Sequence, residues 1–136
     1  MKIIKLFLQL FFLSVALSFS NHCLSQCTTW QKLNNADELM DSYVIYRGYM
    51  KKGNIEKAFP YWEEVYNNAP AADGKRGHVY SDGRVFYFEK YKAEKRRSKK
   101  KEIANTILRL YEEEKKCYPN NEIDLPPKEV IDFLNK

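Results

Sequence analysis

The sequence predicts an all-α fold of antiparallel helix-turn-helix pairs, and three observations carry the prediction. Apolar residues recur at steps of three and four through Leu39, Tyr43, Tyr46 and Met50, and again through Ile55, Ala58, Trp62 and Val65. That period places each set on one face of a helix. Gly53-Asn54 and the run Asn67 to Pro70 break the pattern where the helices should stop. The spacing of Ala58, Trp62 and Pro70 then returns in Ile107, Tyr111 and Pro119, so a similar pair is built twice.

The N-terminal quarter comes first. Lys2 and Lys5 precede the apolar run Leu6 to Phe19, after which the chain turns polar. This is the layout of a secretory signal peptide over residues 1–25, and the run falls short of the ~20 residues that a spanning helix needs. Small residues allow cleavage after Ser20 or Ser25. An uncleaved inner-membrane anchor and a lipoprotein signal ending at Cys27 are the alternatives. What remains, about 110 residues, is one small domain near the lower limit for an independent core. Removing Lys2 and Lys5 leaves 21 basic and 18 acidic residues. Cleavage after Ser25 leaves Cys27 and Cys117 as an even pair, and in an oxidising compartment such a pair forms a disulfide.

An N-terminal segment, 26–35, leads into the first helix pair, 36–72. Asn35 followed by Glu38 forms a capping-box variant, and the first helix runs from Ala36 to Lys52. Gly53 permits a tight turn and small Ala58 lets the second helix approach closely. Trp62 fills the space between them, and Pro70 ends the second helix. Pro60 sits inside that helix and should bend it.

The second pair, 75–120, is longer, with Pro70 and Pro119 set 49 positions apart. Ile103, Ile107, Leu110 and Tyr111 mark its second helix. The stretch from Gly77 to Glu94 holds its first helix, or else a β-hairpin turning at Ser81-Asp82-Gly83. Between the two lies a basic connection, with eight cations in 90–101. The final segment, 121–136, opens with prolines and carries Val130, Ile131, Phe133 and Leu134, which reads as a short capping helix.

Tyr49, Gly53, Ala58, Trp62 and Pro70, with Leu39 taken as the first position, resemble the signature of the tetratricopeptide repeat, a 34-residue helix-turn-helix unit. Gly83, Phe86, Ile107, Tyr111 and Pro119 fit a second, lengthened copy. Ser42 and Tyr46 depart from the pattern, standing where it has a large aromatic residue and a glycine. The resemblance implies a short solenoid in a small exported protein of a Gram-negative cell envelope, in the periplasm or at the outer membrane. It also implies a groove lined by the first helix of each repeat, here Met40, Tyr43, Arg47, Met50, Lys51, Tyr80, Arg84, Tyr87 and Phe88.

Tyr43 with Arg47, and Tyr80 with Arg84, then form the same i, i+4 pair in each repeat. Guanidinium groups take carboxylates through paired hydrogen bonds, so the groove fits a carboxylate-bearing segment of another envelope protein. The inventory for catalysis is poor. His78 is the sole histidine beyond the leader and reads as a loop residue, and no metal-ligand spacing or phosphate loop occurs. The expectation is a non-enzymatic adaptor that uses no cofactor, metal or small-molecule substrate. Two alternatives remain: self-association, since about three repeats are usually needed to close a core, and docking of the basic segment on an anionic membrane surface. Nucleic acid is disfavoured, because no aromatic platform follows Tyr91 in the basic run.

Overall fold

The computed structural model describes residues 27–136, and the signal peptide expected over 1–25 lies outside them. After a 3-10 turn at Trp30–Lys32 come five α-helices: α1 Ala36–Lys51, α2 Ile55–Asn68, α3 His78–Ala93, α4 Arg97–Cys117 and α5 Lys128–Leu134. There is no strand among the described residues, so the fold is all-α. Among them, too, no helix is long and apolar enough to cross a membrane.

The apolar periods become buried faces. Leu39 and Tyr46 of α1 are fully buried, as are Ala58, Trp62 and Val65 of α2, while Tyr43, Met50 and Ile55 pack half-buried at the edges. Asp37 and Glu38 in the first turn of α1, and Lys51 in its last, complement the helix dipole. The capping box expected at Asn35 and Glu38 is not formed. Asn35 sits at φ −103, ψ 31, outside the extended conformation that aims a capping side chain at the helix, and it makes no side-chain cap bond.

The turn after α1 is closed as the glycine suggests. Gly53 adopts φ +72, its N–H donates to Met50 O at 2.9 Å, and Asn54 N–H donates to Tyr49 O at 3.0 Å. This is the Schellman pattern, in which the left-handed residue is nearly free of strain because it lacks a Cβ. The chain then doubles back: Ser42 Oγ donates to Glu64 at 2.7 Å, and Tyr49 stacks on Tyr61. Helix α2 continues through Pro60.

Trp62 is the hub of the core. Its ring packs against Phe59, Tyr66, Phe86 and Tyr87, and its Nε1 donates to Val79 O at 2.7 Å. Gly83 of α3 crosses directly over it; a Cβ there would lie 2.5 Å from Trp62 Cζ2. Of the two readings of 77–94, the β-hairpin is thereby set aside. Asp82 and Gly83 are not turn residues. Asp82 is a buried ion-pair partner, and Gly83 provides room for an indole.

Helices α3 and α4 also pair antiparallel, with Arg84 of α3 bonded to Glu114 of α4 and Tyr80 O–H donating to Cys117 Sγ at 3.3 Å. Helix α3 lies beside α1 in the same direction, through Tyr43–His78 and Tyr46–Asp82. The 69–77 link carries buried Ala69, Pro70, Ala71 and Ala72, and it is fastened from both sides. Trp30 N–H donates to Ala72 O and Ala71 N–H to Thr28 O, and Tyr118 O–H donates to Ala71 O at 2.6 Å. Cys27 and Cys117 are bonded, Sγ to Sγ, at 2.02 Å. A sulfur in that bond is not available for a lipid thioether.

The basic segment is not a loop. Residues 94–96 alone connect α3 to α4, a three-residue link like 52–54, and the other cations ride on helix ends. Arg97, Lys99 and Lys100 open α4, whose first turn contains no acid, against the dipole by about 0.3 to 1 kcal/mol each at low ionic strength. A second cluster, Tyr91, Ala104, Ile107 and Val130, packs this end of the pair under α5.

Candidate functional site

An open cleft of about 360 Å³ lies where the outer face of α1 meets the start of α3, lined by Tyr43, Val44, Arg47, Gly48, Lys51, Arg76 and His78. Helical spacing explains the α1 contribution. Residues 43, 44, 47, 48 and 51 follow one stripe at steps of three and four, on the side away from α2. Gly48 keeps the floor low, and Val44 is 67% exposed beside it. The 69–77 link delivers Arg76, and His78 follows as the first residue of α3.

The cleft is cationic with a hydrogen-bonding floor. Arg47 is 32% exposed and bonds Asp82 Oδ2 at 2.6 Å, while Tyr46 O–H donates to the same oxygen at 3.1 Å. Burial opposes the Arg47 charge, but the Asp82 hydrogen bond and charge outweigh it and hold the guanidinium above its ordinary pKa. Burial pushes the Tyr43 phenol up, against the lowering influence of Arg47 and Arg76. Tyr43 therefore keeps its proton, and its hydroxyl lies 3.0 Å from His78 Nδ1. Arg76 pairs with Asp73 at 2.9 Å, and Asp73 also accepts the N–H groups of Lys75 and Arg76. Lys51 has no carboxylate partner among the described residues.

Three of the nine predicted groove residues, Tyr43, Arg47 and Lys51, line this cleft; the other six do not. Tyr80 is fully buried, its ring packed on Tyr66 and Tyr118. Arg84 cannot receive an outside carboxylate, because it is 14% exposed, bonded to the 8% exposed Glu114, and lies 4.1 Å over the Tyr111 ring. Tyr87 packs on Phe59 and Trp62, and Phe88 stacks on Tyr91 in the second cluster. Met50 packs on the main core, and Met40 is exposed but outside the cleft. The matching Tyr-Arg spacing thus has two different outcomes, one pair at an open face and one inside.

Sequence reasoning missed Val44, Gly48 and Arg76 and placed His78 in a loop. An apolar residue on an otherwise polar stripe was the signal for Val44; nothing local marked Arg76. A second, smaller cleft of about 200 Å³ lies between α4 and the extended 123–126 segment, beside the 88% exposed Leu125. Among the described residues, no group of three His, Cys, Asp or Glu is placed to hold a metal ion.

No family model, curated protein or solved structure matches the chain. The functional reading therefore rests on geometry.

Proposed function

We propose that the chain is an exported, non-enzymatic adaptor of the cell envelope that holds a carboxylate-bearing segment of another protein in the α1–α3 cleft. The cleft carries the proposal: Arg47, Lys51 and Arg76 surround an open floor on which Tyr43 supplies rigid contact area and Val44 an apolar foothold. A phenol that retains its proton can donate a hydrogen bond to a carboxylate. The tetratricopeptide-like reading is supported by the equal three-residue links within the two hairpins and by α1 and α3 lying side by side. Export is supported by the Cys27–Cys117 bond, which suits an oxidising compartment.

The test is binding of labelled extended peptides carrying Asp or Glu, against the same peptides with Asn or Gln, followed by fluorescence anisotropy. Acidic peptides should bind and their amide versions should not. Lys51→Ala should weaken binding about fivefold, the upper end for an exposed pair. Equal binding of both peptide series, or an unaffected Lys51→Ala variant, would remove the cleft from the reading.

A further inference from the structure

We propose that the tip of the α3–α4 hairpin docks on an anionic phospholipid bilayer.

The charge is concentrated there. Residues 89–102 hold eight cations and three carboxylates, whereas the rest of 27–136 holds thirteen cations and fifteen carboxylates. Each of the three carboxylates takes one cation: Glu89 with Lys92 at 2.6 Å, Glu94 with Arg96 at 3.0 Å and Glu102 with Lys99 at 3.9 Å. The other five, Lys90, Lys95, Arg97, Lys100 and Lys101, make no salt bridge among the described residues, although the charge of Glu63 reaches Lys90. Three of these rest on aromatic faces: Lys90 Nζ 3.2 Å from the Phe59 ring centre, Lys100 Nζ 4.4 Å from Tyr91 and Arg97 5.6 Å from Phe133. Those rings support the cations from beneath and leave their outer sides open to an anion.

Shape selects the partner. The cations gather where one helix ends and its antiparallel neighbour begins, so they form a convex end instead of lining a channel. Tyr66 bonds Glu113, and Trp62 and Leu110 converge on Gly83. Continued down α4, that register brings residue 103 level with the start of α2, and Arg97 to Glu102 run on for about 9 Å beyond it. A convex cationic end suits a plane of headgroups. A single-stranded nucleic acid needs a groove and open rings on which bases stack. Here Tyr91 is 5% exposed, and Phe59 and Phe133 already lie under cations. The tip also breaks a helix rule, since α4 opens with cations and no acid, and breaches of local rules concentrate at functional sites.

The test is partition of the purified full chain to vesicles containing phosphatidylglycerol, with phosphatidylcholine vesicles reporting whatever the apolar run Leu6 to Phe19 contributes. Lys95→Gln with Lys101→Gln removes two cations that make no internal contact, and unchanged far-UV circular dichroism verifies the fold. Each cation near an anionic surface is worth about fivefold in partition, so the double variant should bind the anionic vesicles about 25-fold more weakly. About 1 M salt should abolish the wild-type preference. Equal partition to both vesicle types, or equal binding by wild type and variant, would overturn the proposal. So would a single-stranded oligonucleotide that binds the chain and displaces it from the vesicles.

Discussion

Replacing Cys27 and Cys117 with serine should cost several kcal/mol of stability through the unfolded state. The two cysteines are 90 residues apart, and closing a loop of that size in the unfolded chain removes about 15 cal/mol/K of conformational entropy, or about 4.6 kcal/mol at 25 °C. The unfolding entropy of the 110 residues in 27–136 is about 230 cal/mol/K near the midpoint. The double variant should therefore melt about 20 °C lower. The folded side loses little, because Trp30, Thr28 and Tyr118 still fasten the neighbouring backbone. Circular dichroism melts of wild type, of Cys27→Ser/Cys117→Ser, and of wild type with reductant measure this, the last two agreeing with each other. A midpoint shift of under about 4 °C, which is less than 1 kcal/mol, would refute the loop-closure argument. So would two titratable thiols in the denatured, unreduced mature chain that begins after Ser25.

The remaining predictions concern single positions. Gly83→Ala should destabilise by about 1 to 3 kcal/mol in urea titration, because the new methyl meets Trp62 at 2.5 Å and Leu110 at 3.2 Å; a neutral result would mean that α3 shifts freely over the indole. Pro60→Ala should stabilise by about 2 kcal/mol, since an exposed proline inside α2 forgoes a hydrogen bond to the carbonyl of Glu56, and a calorimetric melt that does not rise would count against this. Hydrogen bonds from the Arg96 side chain and backbone hold the Glu94 carboxyl down at about 2, below its ordinary 4.5. A lowered folded pKa gives stability that is complete above 4.5 and is lost as pH falls toward 2. Arg96→Ala should return the Glu94 carboxyl signal toward 4.5 in an NMR titration.

Period and punctuation made the helices legible. The limits of α1 and α2, the turn at Gly53 and the central place of Trp62 all follow from local spacing, which is set by steps of three and four along one chain. The partners of charged groups were not legible. Arg47 and Arg84 occupy matching positions, yet Asp82 and Glu114 lie 35 and 30 residues away from them, and only their approach makes one arginine half-open and the other enclosed. Ser81-Asp82-Gly83 has turn composition, and its helical conformation is imposed by an ion pair and an indole that no window of sequence contains. Asn35 has the right chemistry for a cap, but its backbone does not adopt the extended angle that capping needs. The cations of 90–101 were misplaced for a related reason. Charge suggested a loop, whereas Tyr91, Ala104 and Val130 bury enough apolar surface to hold both helix ends together.

The sulfur bridge also decides where mechanical load would travel. It joins Cys27 to the C-terminal end of α4, and the cationic tip is at the N-terminal end of the same 21-residue helix, about 30 Å away. Tension applied between the segment ahead of Cys27 and the tip would pass through one covalent link and along one helix axis. Helix α1 lies off that line, so the stripe it gives the cleft would be spared the strain, and the domain would act as a strut that keeps its binding face slack while its two ends are pulled.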